Sequence, residues 1–193
     1  ARYKAGLVAR GFMQKEDIDF QETFAPTAKF TTIRLLIALA CSWSWPCHQC
    51  DIETAFLWAQ IDNDTPIYME QPEGHEDPDY PDHVCLLMKS INGLKQSAYL
   101  WTQLLAKTLK KYGFIQLKTD PSCFVKSDSQ GTCLIIAAYI DDLLIIGRTS
   151  ELIADFKKTI KGEFKLKDLG PLAWILGIAA ERDIEKGTFT LHQ

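Results

Sequence analysis

Two adjacent carboxylates, Asp141 and Asp142, sit inside the run Leu134 to Ile146, Leu-Ile-Ile-Ala-Ala-Tyr-Ile-Asp-Asp-Leu-Leu-Ile-Ile, between two apolar segments of strand length. Ile, Leu and Tyr are enriched and no helix-length polar face exists, so the pattern predicts a buried β-hairpin with the aspartates at its tip. Two carboxylates about 4 Å apart at an effective dielectric near 20 repel by roughly 4 kcal/mol, and partial burial adds a desolvation cost. Such a pair calls for a cation. A hard divalent ion such as Mg²⁺, held by a carboxylate or two plus substrate phosphates, is the natural candidate. Asp-rich turns also arise for conformational reasons alone, because Asp bonds its own backbone and tolerates turn dihedrals. What separates the readings is a third carboxylate converging from another strand, which two-metal phosphoryl transfer needs. Asp51, in His48 to Phe56, a segment predicted as a short strand turning into a bend or helix start, is the candidate for it.

The elements around these acids follow from periodicity. Residues 1 to 12 mix basic side chains with strand formers and are expected as a basic strand and turn ending at Gly11. Thr31-Thr32 is expected to cap an apolar helix through Ile33, Leu36, Ile37 and Ala40. Residues 60 to 82, rich in Asp, Pro and Gly, form a solvent-facing excursion, followed by a strand over Val84 to Met88. A second helix carries Trp101, Leu104, Leu105, Leu109 and Tyr112 inward, with Gly113 as its stop. A strand around Cys123 to Lys126 leads into the hairpin, and Thr149-Ser150 starts a third helix with Leu152, Ile153, Phe156 and Ile160 inward. Leu172 to Ile178 and Thr188 to Leu191 read as a terminal antiparallel pair across Lys186-Gly187. This order fits an α+β fold, an antiparallel sheet of the split βαβ kind with helices on one face and the other free for substrate.

With 193 residues, 47% hydrophobic and 24% charged, the chain can bury a sizeable core as one domain or one domain with a small lobe. Its apolar stretches fall short of the roughly 20 residues a bilayer needs, and Ala-Arg-Tyr-Lys is no signal peptide. The expectation is a soluble fragment cut at both ends from a longer polyprotein, without a membrane partner. The net charge of −4 conceals segregation. Residues 1 to 15 carry Arg2, Lys4, Arg10 and Lys15 with no acid, whereas 62 to 82 carry eight acids and no Lys or Arg, so the remainder is positive by 4 and has charge enough for phosphate-facing patches.

The six cysteines lie in apolar segments of a chain too core-rich to need staples, so reduced thiols are expected. Cys47-His-Gln-Cys50, with His75, His83 and Cys85 downstream, has the superficial look of a zinc site. On a strand, however, residues three apart face opposite ways and cannot share one ion.

Seven segments in order carry a family resemblance: Arg-Tyr-Lys-Ala-Gly-Leu-Val-Ala-Arg-Gly-Phe (2 to 12), Glu-Thr-Phe-Ala-Pro (22 to 26), Asp-Ile-Glu-Thr-Ala-Phe-Leu (51 to 57), Ile-Tyr-Met-Glu-Gln-Pro-Glu-Gly (67 to 74), Gly-Leu-Lys-Gln (93 to 96), Tyr-Ile-Asp-Asp (139 to 142) and Leu-Gly-Ile (176 to 178). Over nearly its whole length the chain resembles the reverse transcriptase domain of copia-type retrotransposons. The resemblance implies a right-hand polymerase palm with partial fingers: a fingers-like part over 1 to 45, a palm over 46 to 170 and a primer-grip-like hairpin over 171 to 193. It implies that Asp51, Asp141 and Asp142 hold two Mg²⁺ ions, with Mn²⁺ as an alternative, for transfer of a deoxynucleotide to a primer 3′-hydroxyl. Phe56 would pack under the sugar where a 2′-hydroxyl would clash. Thr54, Ala55, Lys4, Arg10, Gly93, Lys95 and Tyr139 would contact nucleotide or template, and Trp174, Leu176 and Gly177 the primer end. Lys165 or Lys167 would protonate pyrophosphate. Partners implied are an RNA or DNA template-primer, deoxynucleoside triphosphates and RNase H and integrase segments elsewhere in the polyprotein, in a cytoplasmic retrotransposon particle with a nuclear phase.

The chain departs from the family at Gly6, usually basic, at Leu57-Trp58-Ala59, usually a polar turn, and at Ser97-Ala98-Tyr99, usually Ala-Pro-Arg. These departures leave a second reading open: an inactive remnant that binds nucleic acid without catalysis.

Overall fold

The computed structural model describes residues 5–62, 64–129 and 133–192. In chain order the elements are α1 (Phe30–Ser42), β1 (Cys47–Ile52), β2 (Tyr68–Glu70), β3 (Val84–Leu86), α2 (Ser97–Lys111), β4 (Ile115–Gln116), β5 (Cys123–Ser127), β6 (Cys133–Tyr139), β7 (Asp142–Gly147), α3 (Ser150–Lys161), β8 (Leu166–Pro171), β9 (Trp174–Ile175), β10 (Ile178–Asp183) and β11 (Thr188–His192). They form two compact units, Ala1–Ala25 with Ala55–Leu104 and Pro26–Thr54 with Leu105–Gln193, the boundary falling inside α2.

The second unit is built on a six-stranded sheet in the order β4-β5-β6-β7-β1-β8, every pairing antiparallel. Leu134 to Ala138 and Leu143 to Ile146 are buried without a gap. A strand covered on one face alternates, so an unbroken buried run means both faces are covered. Ile33, Leu36, Ile37 and Ala40 form the inward stripe of α1 and share a core with Cys47, Ile135, Ala137, Leu144 and Ile146, which all point to one face. On the other face the Ile153 side chain of α3 reaches within 2.8 Å of where a Cβ on Gly147 would stand. Helices therefore flank the sheet on both sides, which corrects the expectation of a single covered face.

Two boundaries also differ from expectation. No Thr hydroxyl caps α1, which starts at Phe30 with Lys29 as its N-cap residue. The acceptor comes from Asp120, whose Oδ2 receives the Lys29 backbone N–H at 3.1 Å and the Thr32 hydroxyl at 2.7 Å. The strand expected over Leu172 to Ile178 is broken at Leu176 and Gly177, with φ of 49° and 80°. A two-residue turn with both φ positive suits the twist of a tight hairpin, and the chain folds into the three-stranded sheet β11-β10-β9.

The first unit has a small core of Ala9, Ile67 and Leu94 beside the β2–β3 pair. The strand expected within residues 1 to 12 is absent from described residues 5 to 12, which run as coil into a 3₁₀ turn at Gly11–Met13. The Ala9 N–H donates to the Asn92 carbonyl at 2.8 Å. A Cβ on Gly11 would lie 1.9 Å from the Gly93 carbonyl oxygen, so only glycine allows this backbone crossing. The acidic excursion is solvent-facing, as expected, and is organised by Gln71, which donates to the carbonyls of Tyr80 and His83 and accepts from the Asp77 N–H. Among the described residues no helix is long and apolar enough to cross a membrane.

Candidate active site

The register of the large sheet puts four side chains in one row across four strands. Tyr139 pairs with Asp142, Asp142 with Asp51, and Asp51 with Lys167. Residues directly opposite in antiparallel strands project to the same face, so Asp51 and Asp142 share a face at the hairpin end. Asp141 belongs to the two-residue connection Ile140–Asp141, and its carbonyl accepts the Ile52 N–H at 2.9 Å, which ties the hairpin tip to the end of β1. Ile140 holds φ of 56°, a region that disfavours β-branched residues, so the tip is strained next to the acids.

The electrostatics record this crowding. Burial pushes the Asp51 carboxyl above the usual carboxylate range, Asp141 and Asp142 push it further, and Lys167 pulls it back. Burial likewise raises Asp142 and Asp141 adds to it, while a hydrogen bond from Gln49 Nε2 to Asp142 Oδ1 at 3.4 Å opposes them. Gln49 is buried at 8% exposure, two residues before Asp51 and on the same face. The sequence signal for it was present: a polar side chain at period two from an acid, and so on the acid's face of the strand. Lys165 forms an ion pair with Glu53 at 2.6 Å, which leaves Lys167 as the lysine in the row.

All-oxygen donors suit a hard cation, and three carboxylates from β1, β7 and the β6–β7 turn supply them. Among the described residues no three His, Cys, Asp or Glu side chains are already gathered tightly enough to close on an ion. The fit therefore rests on donor chemistry and shared face. Cys47 and Cys50 are divided by the sheet. Cys47 lies in the α1 core with its thiol pushed by burial to about 12, and Cys50 lies beside Asp168 with its thiol at about 11.

Of the remaining candidates in this unit, Tyr139 is 36% exposed and Thr54 is exposed with φ of 55°. Trp174 is 55% exposed on β9, and Leu176 and Gly177 form the tight turn after it. In the other unit, Arg10 and Lys95 are exposed, Ala55 is buried and Phe56 half-buried. The Phe56 carbonyl accepts the Ser90 hydroxyl at 2.8 Å, and the Lys95 N–H donates to Gln14 Oε1 at 2.8 Å. Gly93, with φ of 94°, lies against the coil at Ala9 to Gly11. Lys4 lies outside the described residues. Ser97, one of the departures from the family pattern, donates its hydroxyl to the Ile91 carbonyl at 2.5 Å and so fixes the entry to α2.

The sequence model of the family described as reverse transcriptase (RNA-dependent DNA polymerase) matches residues 1–193. The chain is 41% identical over 182 residues to the Retrovirus-related Pol polyprotein from transposon TNT 1-94 of Nicotiana tabacum, covering 94% of this chain and 14% of that protein. It is 38% identical over 181 residues to the corresponding polyprotein from transposon RE1 of Arabidopsis thaliana, covering 94% and 12%. Identity to the Transposon Ty1-DR5 Gag-Pol polyprotein of Saccharomyces cerevisiae is 26% over 165 residues, covering 86% and 9%. The chain thus spans about an eighth of the length of the first two curated relatives.

Proposed function

The chain belongs to the reverse transcriptase (RNA-dependent DNA polymerase) family, and from that premise we propose that it is the palm and part of the fingers of a copia-type retrotransposon polymerase. Its reaction would be transfer of a deoxynucleotide from a triphosphate to a primer 3′-hydroxyl on an RNA or DNA template. The observation that carries this reading is the direct cross-strand pairing of Asp51 with Asp142, with Asp141 at the adjoining turn. Divalent metal ions held by these three carboxylates would activate the hydroxyl and neutralise the phosphates, which is most of what in-line phosphoryl transfer requires. Gln49 keeps the Asp142 carboxylate oriented and available in its charged form. Tyr139 and Lys167 extend the row on either side of the two paired acids, Lys167 offering positive charge to phosphate oxygens. Phe56, Ala55, Gly93, Lys95 and Arg10 supply nucleotide and template contacts, and the β9–β10 turn at Leu176–Gly177 with Trp174 holds the primer end. The working setting would be a retrotransposon particle in the cytoplasm, with RNase H and integrase carried by the same polyprotein.

Primer extension on an RNA template tests this, on the 193-residue chain alone and carried in a longer polypeptide. Extension should require Mg²⁺ or Mn²⁺ and be lost on Asp141→Asn. Extension that survives this change would overturn the assignment. Mg²⁺-independent binding of primer-template with no extension in either form would mark a nucleic-acid-binding remnant instead.

A further inference from the structure

On the sheet face opposite the acids, β1 and β8 form a second polar cluster with α3. His48 and Asp51 are three residues apart on a regularly paired strand and project to opposite sides. His48 faces a cavity of about 370 Å³ lined by Lys157, Lys158, Lys161 and Asp168 and reaching Ser150 at the start of α3. The lining positions of α3 follow the spacing of a single helical stripe, so the cavity is a groove along the helix, about 16 Å from first to last residue at 1.5 Å per residue.

Among its lining side chains is a buried ammonium. Lys157 is 6% exposed, with Nζ 2.5 Å from Asp168 Oδ1 and 2.8 Å from His48 Nδ1. An ammonium has three donors and no acceptor, so two are used and the third has no acceptor among the described residues. The same rule fixes the histidine: Nδ1 accepts from Lys157, which leaves Nε2–H as a donor. Burial and the neighbouring Lys157 hold the His48 pKa below its ordinary value, while Asp168 opposes them. Lys158 and Lys161 are exposed and form no ion pair among the described residues. Lys157 and Lys161, at i and i+4, repel along the helix. The groove therefore presents three cations against one carboxylate, with donors in excess of acceptors.

We propose that this groove is a phosphate-binding site, separate from the acidic row and on the other face of the sheet. A phosphate group would accept from the third Lys157 donor and from His48 Nε2–H and would neutralise Lys158 and Lys161. Its length along α3 suits a phosphodiester strand, and its volume also admits a free phosphorylated small molecule. The site does not depend on the polymerase reading, because none of its residues belongs to the acidic row.

The test is an NMR titration of the 193-residue chain, following the His48 ring and the α3 amides, with sodium phosphate in one arm and a short single-stranded oligonucleotide in the other. Saturable shifts at His48 are expected in at least one arm. In the Lys158→Ala/Lys161→Ala variant, whose altered side chains are exposed and leave the core intact, affinity should fall at least tenfold. The Lys107→Ala/Lys110→Ala pair on α2 removes the same charge elsewhere and should leave affinity within twofold. Saturation by the oligonucleotide at the lower concentration identifies a nucleic-acid strand as the ligand, and saturation by phosphate alone a small phosphorylated molecule. No saturable shift in either arm, or an equal loss in both double variants, would overturn the site.

Discussion

Asp51 and Asp142 are direct partners in the β1–β7 ladder, with both side chains on the face of the sheet that ends at the Ile140–Asp141 turn. Like charges placed directly opposite destabilise a ladder, and nothing in the core requires carboxylates here. A fold tolerates such a pair where function uses it, and the penalty is measurable.

Replacing either acid by its neutral isostere should raise stability. Both carboxyls are pushed above their ordinary range by burial first and by neighbouring acids second, with Gln49 opposing at Asp142. The folded state then holds protons more tightly than the unfolded chain, so stability falls as pH rises from the ordinary carboxylate range through the raised folded value. At pH 7 the penalty is fully present. Asp51→Asn or Asp142→Asn should therefore raise Tm by about 2–4 °C at pH 7, partial exposure screening the repulsion to about 1 kcal/mol. The gain should vanish near pH 3. Calorimetry across pH decides it, and a loss of Tm at pH 7 would contradict the proposed repulsion.

Mg²⁺ should relieve the same repulsion on the unmodified chain. An ion that binds only the folded state stabilises by RT ln(1 + [L]/Kd), about 2.7 kcal/mol at a hundredfold excess over Kd. Tm should rise with MgCl₂ in the parent and not in Asp51→Asn/Asp142→Asn, with matched ionic strength from NaCl as the control. A rise of equal size in the double variant would place any bound ion elsewhere.

The hairpin was legible in the sequence because its two apolar runs and central acids have one simple solution, and the third helix because Thr149 caps it as expected, accepting the Leu152 N–H at 3.4 Å. The convergence of Asp51 on Asp142 was an inference from chemistry, since register between strands about ninety residues apart leaves no local mark. The elements missed or misread are those set by distant partners. β8, a Lys-rich stretch with a half-buried Gly170 and no strand periodicity of its own, becomes a strand because β1 offers it an edge. Thr31-Thr32 looked like a cap, whereas the acceptor comes from Asp120. The Leu176–Gly177 turn was hidden because leucine at positive φ is uncommon, and His48 with Lys157 because one sits on a strand and the other on a helix 109 residues later.

Asp120 offers a test of the fold that is independent of function. It is 4% exposed, and besides Lys29 and Thr32 it accepts the Ser122 N–H on Oδ1 at 3.2 Å. Asp120→Ala removes a cap worth about 1 kcal/mol and leaves donors from two segments without a charged acceptor, a loss of roughly 2–4 kcal/mol in all. Thr32→Val, which deletes one bond, should lose about 1 kcal/mol. Urea midpoints compare the two, and equal losses would mean that the backbone cap contributes nothing.

The Lys157 cluster sets the behaviour in acid. His48 is held below its ordinary pKa by burial and by Lys157, so the unfolded chain binds its proton first and stability falls as pH drops below about 6.5. Protonating Nδ1 also turns an acceptor of Lys157 into a donor. Burial alone would raise Asp168, but the hydrogen bond from Lys157 and that from the Gly170 N–H hold it below its ordinary value, so its contribution persists above the ordinary carboxylate range and is lost only at lower pH. The urea midpoint should thus decline between pH 7 and 5 in the parent, and this slope should flatten in His48→Gln, which keeps an acceptor but cannot titrate. Asp168→Asn strips the charged partner from a buried ammonium. Asp168 is 39% exposed, so the loss should fall near the lower end of the roughly 3–5 kcal/mol typical of broken buried pairs. Lys157→Met in the same chain should recover most of it, because the cost lies in the stranded charge rather than in the missing bond.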